Sequence, residues 1–247
     1  MANDDDGSPN DRDDRTGGDN GLPPGIAKKD WIPPGIAKQI HENERHVTAP
    51  SHTTVNLGNS NATVTLQGNN ITVLGQDGDV TVTGGHTSFD HINLGNGTDI
   101  VTFGPQSSHN VVSVGSGHDT ISTVAGDNNN TFRLNGSTAS LVLHGTSNTV
   151  FINGGTDSIT DSPFVSDALR LRVGTSGGTI NISNFAASSG VVDLASNLGF
   201  SSGAAAAAAV TTDNHGGSLL TFAGGLGSID FYAVPVGLLH ASNFEIT

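Results

Sequence analysis

Three aspartates, Asp79, Asp99 and Asp119, are evenly spaced along the chain. Two of them close glycine-rich turns, Gly95-Asn96-Gly97-Thr98-Asp99 and Gly115-Ser116-Gly117-His118-Asp119. If the chain stacks in units of that spacing, the three acids form a column with neighbours about 4.8 Å apart. Like charges directly opposite one another destabilise a sheet. Between residues 51 and 164 a single base, Arg133, stands against eight acids. A hard divalent cation neutralises such a column. Calcium accepts about six to eight oxygens from carboxylates and backbone carbonyls, in flexible geometry. The glycines let carbonyls turn toward it. The candidate metal ligands are Asp79, Gly95, Asn96, Gly97, Asp99, Gly115, Ser116, Gly117 and Asp119, and the expected ion is Ca2+. A plainer reading stays open, in which each aspartate only makes an Asx-type turn. The histidines at 86, 91, 109, 118 and 144 do not recur at the same spacing, so they form no metal column and read as solvent-facing.

The elements that must hold these residues are short strands. An apolar–polar–apolar unit followed by glycine recurs as VNLG (Val55–Gly58), VTVTG (Val80–Gly84), INLG (Ile92–Gly95), VSVG (Val112–Gly115) and LVLHG (Leu141–Gly145), among others. Alternation at period two marks each unit as a strand. Strands this short gain stability only by stacking on copies of themselves. Two units make one coil, because a second kind of corner carries Asn70, Asp90, Asn110, Asn130 and Asn148. The fold class expected is all-β, a right-handed parallel β-roll or β-solenoid with coils of about 20 residues. One sheet is expected to face inward with Val64, Leu66, Ile71, Val73, Ile92, Leu94, Val112, Val114, Phe132, Leu134, Val150 and Ile152. Val80, Val82, Val101, Phe103, Ile121, Leu141 and Leu143 supply the other.

Composition narrows the function. Nine Lys and Arg against 23 Asp and Glu leave a net charge of −14, so the chain lacks the basic footprint of a nucleic-acid binder. With no Cys, thiolate metal sites, disulfides and Cys nucleophiles are excluded. No apolar run is long enough for a transmembrane segment. Residues 1–50 carry ten acids, six bases and few large apolar groups, and read as a disordered arm with no secretory signal peptide. That arm holds a tandem PPGIAK motif. The roll is expected over 51–164, and a β-rich cap over 165–247. In the cap, Val210–Thr212 and Ser218–Phe222 flank a hairpin signal. No G-x-S-x-G or H-E-x-x-H occurs, and Glu is found only at 42, 44 and 245, so the chain is not expected to be an enzyme. Outward hydroxyls at Thr81, Thr83, Thr102, Thr120, Ser122 and Thr160, interrupted by Ile100 and Val142, admit an ice- or crystal-binding solenoid instead. Asparagine ladders admit a metal-independent structural one.

Leu94–Thr102 (LGNGTDIVT) and Val114–Ser122 (VGSGHDTIS) resemble the RTX, or hemolysin-type, nonapeptide G-G-x-G-x-D-x-U-x, each missing only the first glycine. Ile152–Thr160 (INGGTDSIT) keeps part of it. Here the motif occupies one corner only, and Ala139 stands where the next aspartate would fall. The resemblance implies calcium between adjacent coils, best between 95–99 and 115–119, with a second site between 75–79 and 95–99. The C-terminal stretch, with TINISNF (Thr179–Phe185) and the closing Asn243-Phe244-Glu245-Ile246-Thr247, resembles the uncleaved secretion region of type I substrates. It implies export through a type I secretion apparatus to the outside of a bacterial cell, and a partner at a cell surface or matrix.

Overall fold

The computed structural model describes residues 37–39, 46–162 and 169–247, the first three as backbone. The strands in chain order are β1 (Ala37–Gln39), β2 (His46–Pro50), β3 (Thr54–Gly58), β4 (Ala62–Gln67), β5 (Thr72–Gly75), β6 (Val80–Gly84) and β7 (His91–Asn93). They continue as β8 (Ile100–Phe103), β9 (Val111–Val114), β10 (His118–Ser122), β11 (Thr131–Leu134), β12 (Thr138–Val142), β13 (Thr149–Ile152) and β14 (Thr156–Thr160). The last are β15 (Arg170–Val173), β16 (Gly178–Ser183), β17 (Val191–Leu194), β18 (Thr211–Thr212), β19 (Ser218–Thr221), β20 (Gly227–Tyr232) and β21 (Phe244–Ile246).

Odd-numbered strands from β1 to β17, then β21, build one sheet. Even-numbered strands from β2 to β16, then β20, build the other, and β18 and β19 extend its C-terminal edge. Every ladder from β1 to β17 is parallel. The chain therefore steps from one sheet to the other at each corner and returns one rung higher. This is a parallel β-solenoid with coils of about 20 residues. Its stacking continues past residue 164 through β17. Residues 1–36 and 40–45, with nearly all of the PPGIAK pair, lie outside the described residues, but 46–50 forms strand β2.

Alternation builds the core. Along β6 the burial runs buried, half-buried, buried, half-buried, buried, and the inward positions of β11 are likewise every second residue. Every residue expected to point inward is buried. One assignment needs correction: Val64 and Leu66 lie on β4, which pairs with β6, so they share a sheet with Val80 and Val82 rather than with Ile71. Period two is identical in both sheets and carries no sheet label. Membership follows strand order, because the chain changes sheet at each corner, while the corner lengths, which vary, set which residues align. Thr63 pairs with Thr81, Thr81 with Ile100 and Ile100 with Thr120, offsets of 18, 19 and 20.

Beyond β17 the order changes to close the stack. The hairpin β18–β19 is antiparallel, and β19 pairs antiparallel with β20, which itself lies parallel on β16. The alanine run forms helix α1 (Gly203–Ala209), capped by Ser202 Oγ accepting from Ala205 N at 3.1 Å, with Ala206 buried. Phe231 meets Phe185 and Phe244 edge-on, at ring-centroid distances of 5.1 and 6.4 Å. These aromatics cover the last coil.

Candidate functional site

The variable coil length decides where the aspartates fall. Val80 is one residue past Asp79, and it is Val80 that aligns with Asp99, because Thr81 pairs with Ile100. Asp79 aligns with Thr98 and is exposed. Its Oδ1 accepts from Thr98 N at 2.8 Å. Asp99 and Asp119 do stack, since Ile100 pairs with Thr120. Ala139 follows them, and then Asp157, which the nonapeptide remnant contained but a constant period placed out of phase. The interval from Ala139 to Asp157 is 18 residues. The buried column is thus Val80, Asp99, Asp119, Ala139, Asp157.

Each carboxylate in that column does one job visibly. Asp99 Oδ1 accepts from Val80 N at 3.0 Å, Asp119 Oδ1 from Asp99 N at 3.2 Å, and Asp157 Oδ1 from Ala139 N at 3.1 Å. Corner N–H groups with no strand partner are thereby satisfied. The second oxygen, Oδ2, of Asp99, Asp119 and Asp157 is buried and has no hydrogen-bond partner among the described residues. Burial pushes each of these carboxyls up to about 6, against a backbone hydrogen bond that pulls the other way. Asp99 is raised further by Asp119 and Asp79.

The glycines leave the corner open to such close stacking. Gly117 has φ +149°, and a Cβ there would lie 1.8 Å from Gly97 O; a Cβ on Gly115 would lie 2.5 Å from Gly95 O. The carbonyls of Gly95 and Gly97 accept from Gly115 N and His118 N. Each keeps a second lone pair. Asn96 and Ser116 sit outside. Asn96 Oδ1 accepts from Ser116 N and Oγ, and Asn96 Nδ2 donates to Asp77 at 3.0 Å. No group of three or more His, Asp or Glu gathers to hold a metal among the described residues. A calcium ion here would rest on Asp99, Asp119 and corner carbonyls. The donor set fits that far: hard oxygens, two of them buried carboxylate oxygens in need of a partner. Asp79 sits one register position away, exposed.

The opposite corner repeats the same architecture with amides. Asp90 Oδ1 accepts from Ile71 N, Asn110 Oδ1 from Asp90 N, Asn130 Oδ1 from Asn110 N and Asn148 Oδ1 from Asn130 N, at 2.8 to 3.0 Å. All four are buried. Asn70 lies outside this column, because Ile71 is the rung that matches Asp90.

No family model, curated protein or solved structure matches the chain. The remaining surfaces therefore speak only through their own residues. His86, His91, His109 and His118 are exposed, and His144 is half-buried with Nδ1 2.8 Å from Thr123 O. On the outer face of the even-numbered sheet two hydroxyl ladders run in register. One reads Thr63, Thr81, Ile100, Thr120, Ser140, Ser158, and the other Thr65, Thr83, Thr102, Ser122, Val142, Thr160. The odd-numbered sheet instead carries Arg133, Phe151, Arg172 and Asp193 in one column. Both guanidiniums lie over the Phe151 ring, at 4.5 and 5.0 Å, and Arg172 pairs with Asp193 at 2.8 Å. A cleft of about 650 Å³ near Phe185, Tyr232, Leu238 and His240 holds none of the candidate metal residues.

Proposed function

We propose that the protein is a calcium-responsive β-solenoid that works outside the cell as a surface or matrix module, with Asp99 and Asp119 taking the ion between adjacent coils. The observation that carries this is the pair of buried Oδ2 atoms, without a hydrogen-bond partner among the described residues, stacked one coil apart in a glycine corner. At neutral pH these groups are ionised at a cost, because burial disfavours their charge. A cation that binds the folded chain and not the open one removes that cost and converts binding free energy into folding free energy. The resemblance of 94–102 and 114–122 to RTX nonapeptides points the same way. Export through a type I apparatus belongs to this reading. A chain kept open where calcium is scarce can thread a channel, and calcium outside then closes it.

Circular dichroism of the full chain during calcium titration tests the proposal, with magnesium and a chelator as controls. A gain of β signal or of thermal midpoint with calcium, absent in Asp99→Asn and Asp119→Asn, is expected. A folded spectrum and an unchanged midpoint in chelator would sink it and leave a metal-independent solenoid.

A second reading rests on a different observation, the two in-register hydroxyl ladders. Such a periodic, nearly uncharged face suits an ordered repeating surface, ice among them. Thermal hysteresis of the purified protein, lost in Thr83→Tyr and Thr102→Tyr, would favour it.

A further inference from the structure

The ladder of the second corner contains one member of the wrong kind. Asn110, Asn130 and Asn148 are amides, whereas Asp90 is an acid, in the same rung position and equally buried. Two of the amides visibly use both ends. Asn110 Nδ2 donates to Thr87 O at 3.2 Å, and Asn130 Nδ2 donates to Ser107 O at 3.3 Å. In each case the acceptor lies three residues before the rung of the preceding coil. An ionised carboxylate cannot donate in this way, and Asp90 Oδ2 has no hydrogen-bond partner among the described residues.

We propose that Asp90 is a proton-operated rung: as a neutral acid its O–H donates where its neighbours' amides donate, and loss of that proton to water loosens the early coils of the solenoid. Its surroundings contain little to hold the charged form. The rungs on either side, Ile71 and Asn110, are uncharged. Thr87 offers a hydroxyl beside it. His91, the next residue, is exposed, as are His109 on the following coil and His86 in the same corner. Two coils on in this corner Asp127 accepts from Ser107 N and Val124 N, and Asp161 lies further along the same side. Burial outweighs the Ile71 N–H, Thr87 and His91 together and lifts the Asp90 carboxyl to about 6. The device is independent of calcium, since it lies in the opposite corner from Asp99 and Asp119.

The test is a site-resolved carbon-13 NMR titration of the Asp carboxyls of the full chain, from pH 4 to 8 in chelator, paired with urea unfolding at both ends of that range. Asp90 is expected to titrate near 6. The unfolding constant is expected to rise through this residue by about a hundredfold from pH 4 to pH 8. Asp90→Asn should remove that share of the pH dependence while keeping the fold, and Asn110→Asp should add a second share. A carboxyl at position 90 that titrates below about 4.5, or an Asp90→Asn variant with the wild-type pH dependence, overturns the proposal.

Discussion

Aspartate and asparagine side chains do the same hydrogen-bonding work in the two corners and differ in what their second atom can do. In either column Oδ1 takes the N–H of the preceding coil, so the shared oxygen accounts for why both residue types fit. The second atom of Asn can donate, as in Asn110 and Asn130; that of ionised Asp cannot. This separates two substitutions at one position. Asp119→Ala strands the Asp99 N–H in the corner and is expected to cost about 1–3 kcal/mol in urea unfolding. Asp119→Asn keeps the acceptor and removes the charge. Without calcium at pH 7.5 it is expected to leave stability unchanged or raised. The same chemistry sets a pH slope. Asp90, Asp99, Asp119 and Asp157 are all raised in the fold, to about 6, from 3.8. The folded chain therefore binds more protons than the unfolded chain between about pH 4 and 6. Stability is full below the unfolded value and falls as pH climbs through 6, by about 1.4 kcal/mol per unit of displacement per group. Calcium-free thermal melts at pH 4.5 and 7.5 check this; a higher midpoint at 7.5 would refute it.

At the scale of the element, a strand four or five residues long is held by its two neighbours and by what it turns inward. Phe132 lies within β11 and is fully buried. Phe132→Ala is expected to cost about 3–5 kcal/mol. The corners are the tighter constraint. At Gly117 a Cβ would collide with Gly97 O, and φ +149° disfavours any other residue there. Gly117→Ala is expected to lower the thermal midpoint more than Gly136→Ala, where φ is +78° but nothing lies within 4 Å of the added carbon. Reading the elements from sequence succeeded where chemistry is local. Alternation marks the strands and their inward residues, and the Asp213–Gly217 turn marks the β18–β19 hairpin. It failed where counting had to cross a corner. A coil with one residue fewer shifts the alignment by one register position, which takes Asp79 and Asn70 out of their columns.

For the whole molecule the governing fact is one-dimensional stacking, in which each coil gains its stability from the coils on either side. The C-terminal aromatics and helix α1 end the series by covering the last rung, and β21 adds a final parallel strand to β17. Asn243 ties this region down, donating to Ala187 O and Gly190 O at 2.8 and 3.0 Å. A chain ending at residue 194 loses β20, β21 and that cover, and is expected to associate through its open sheet edges. Size-exclusion chromatography with light scattering would show it, and a monodisperse monomer would contradict it. What the sequence by itself determined was the architecture: apolar alternation at period two, glycine at each turn and evenly recurring corners admit little else than stacked parallel coils. The tertiary structure alone decided which acids share a column, and that Asp99, Asp119 and Asp157 keep a buried oxygen without a hydrogen-bond partner among the described residues. It did so because a rung is set by the hydrogen-bond register between coils, and register depends on the length of every corner rather than on any local pattern.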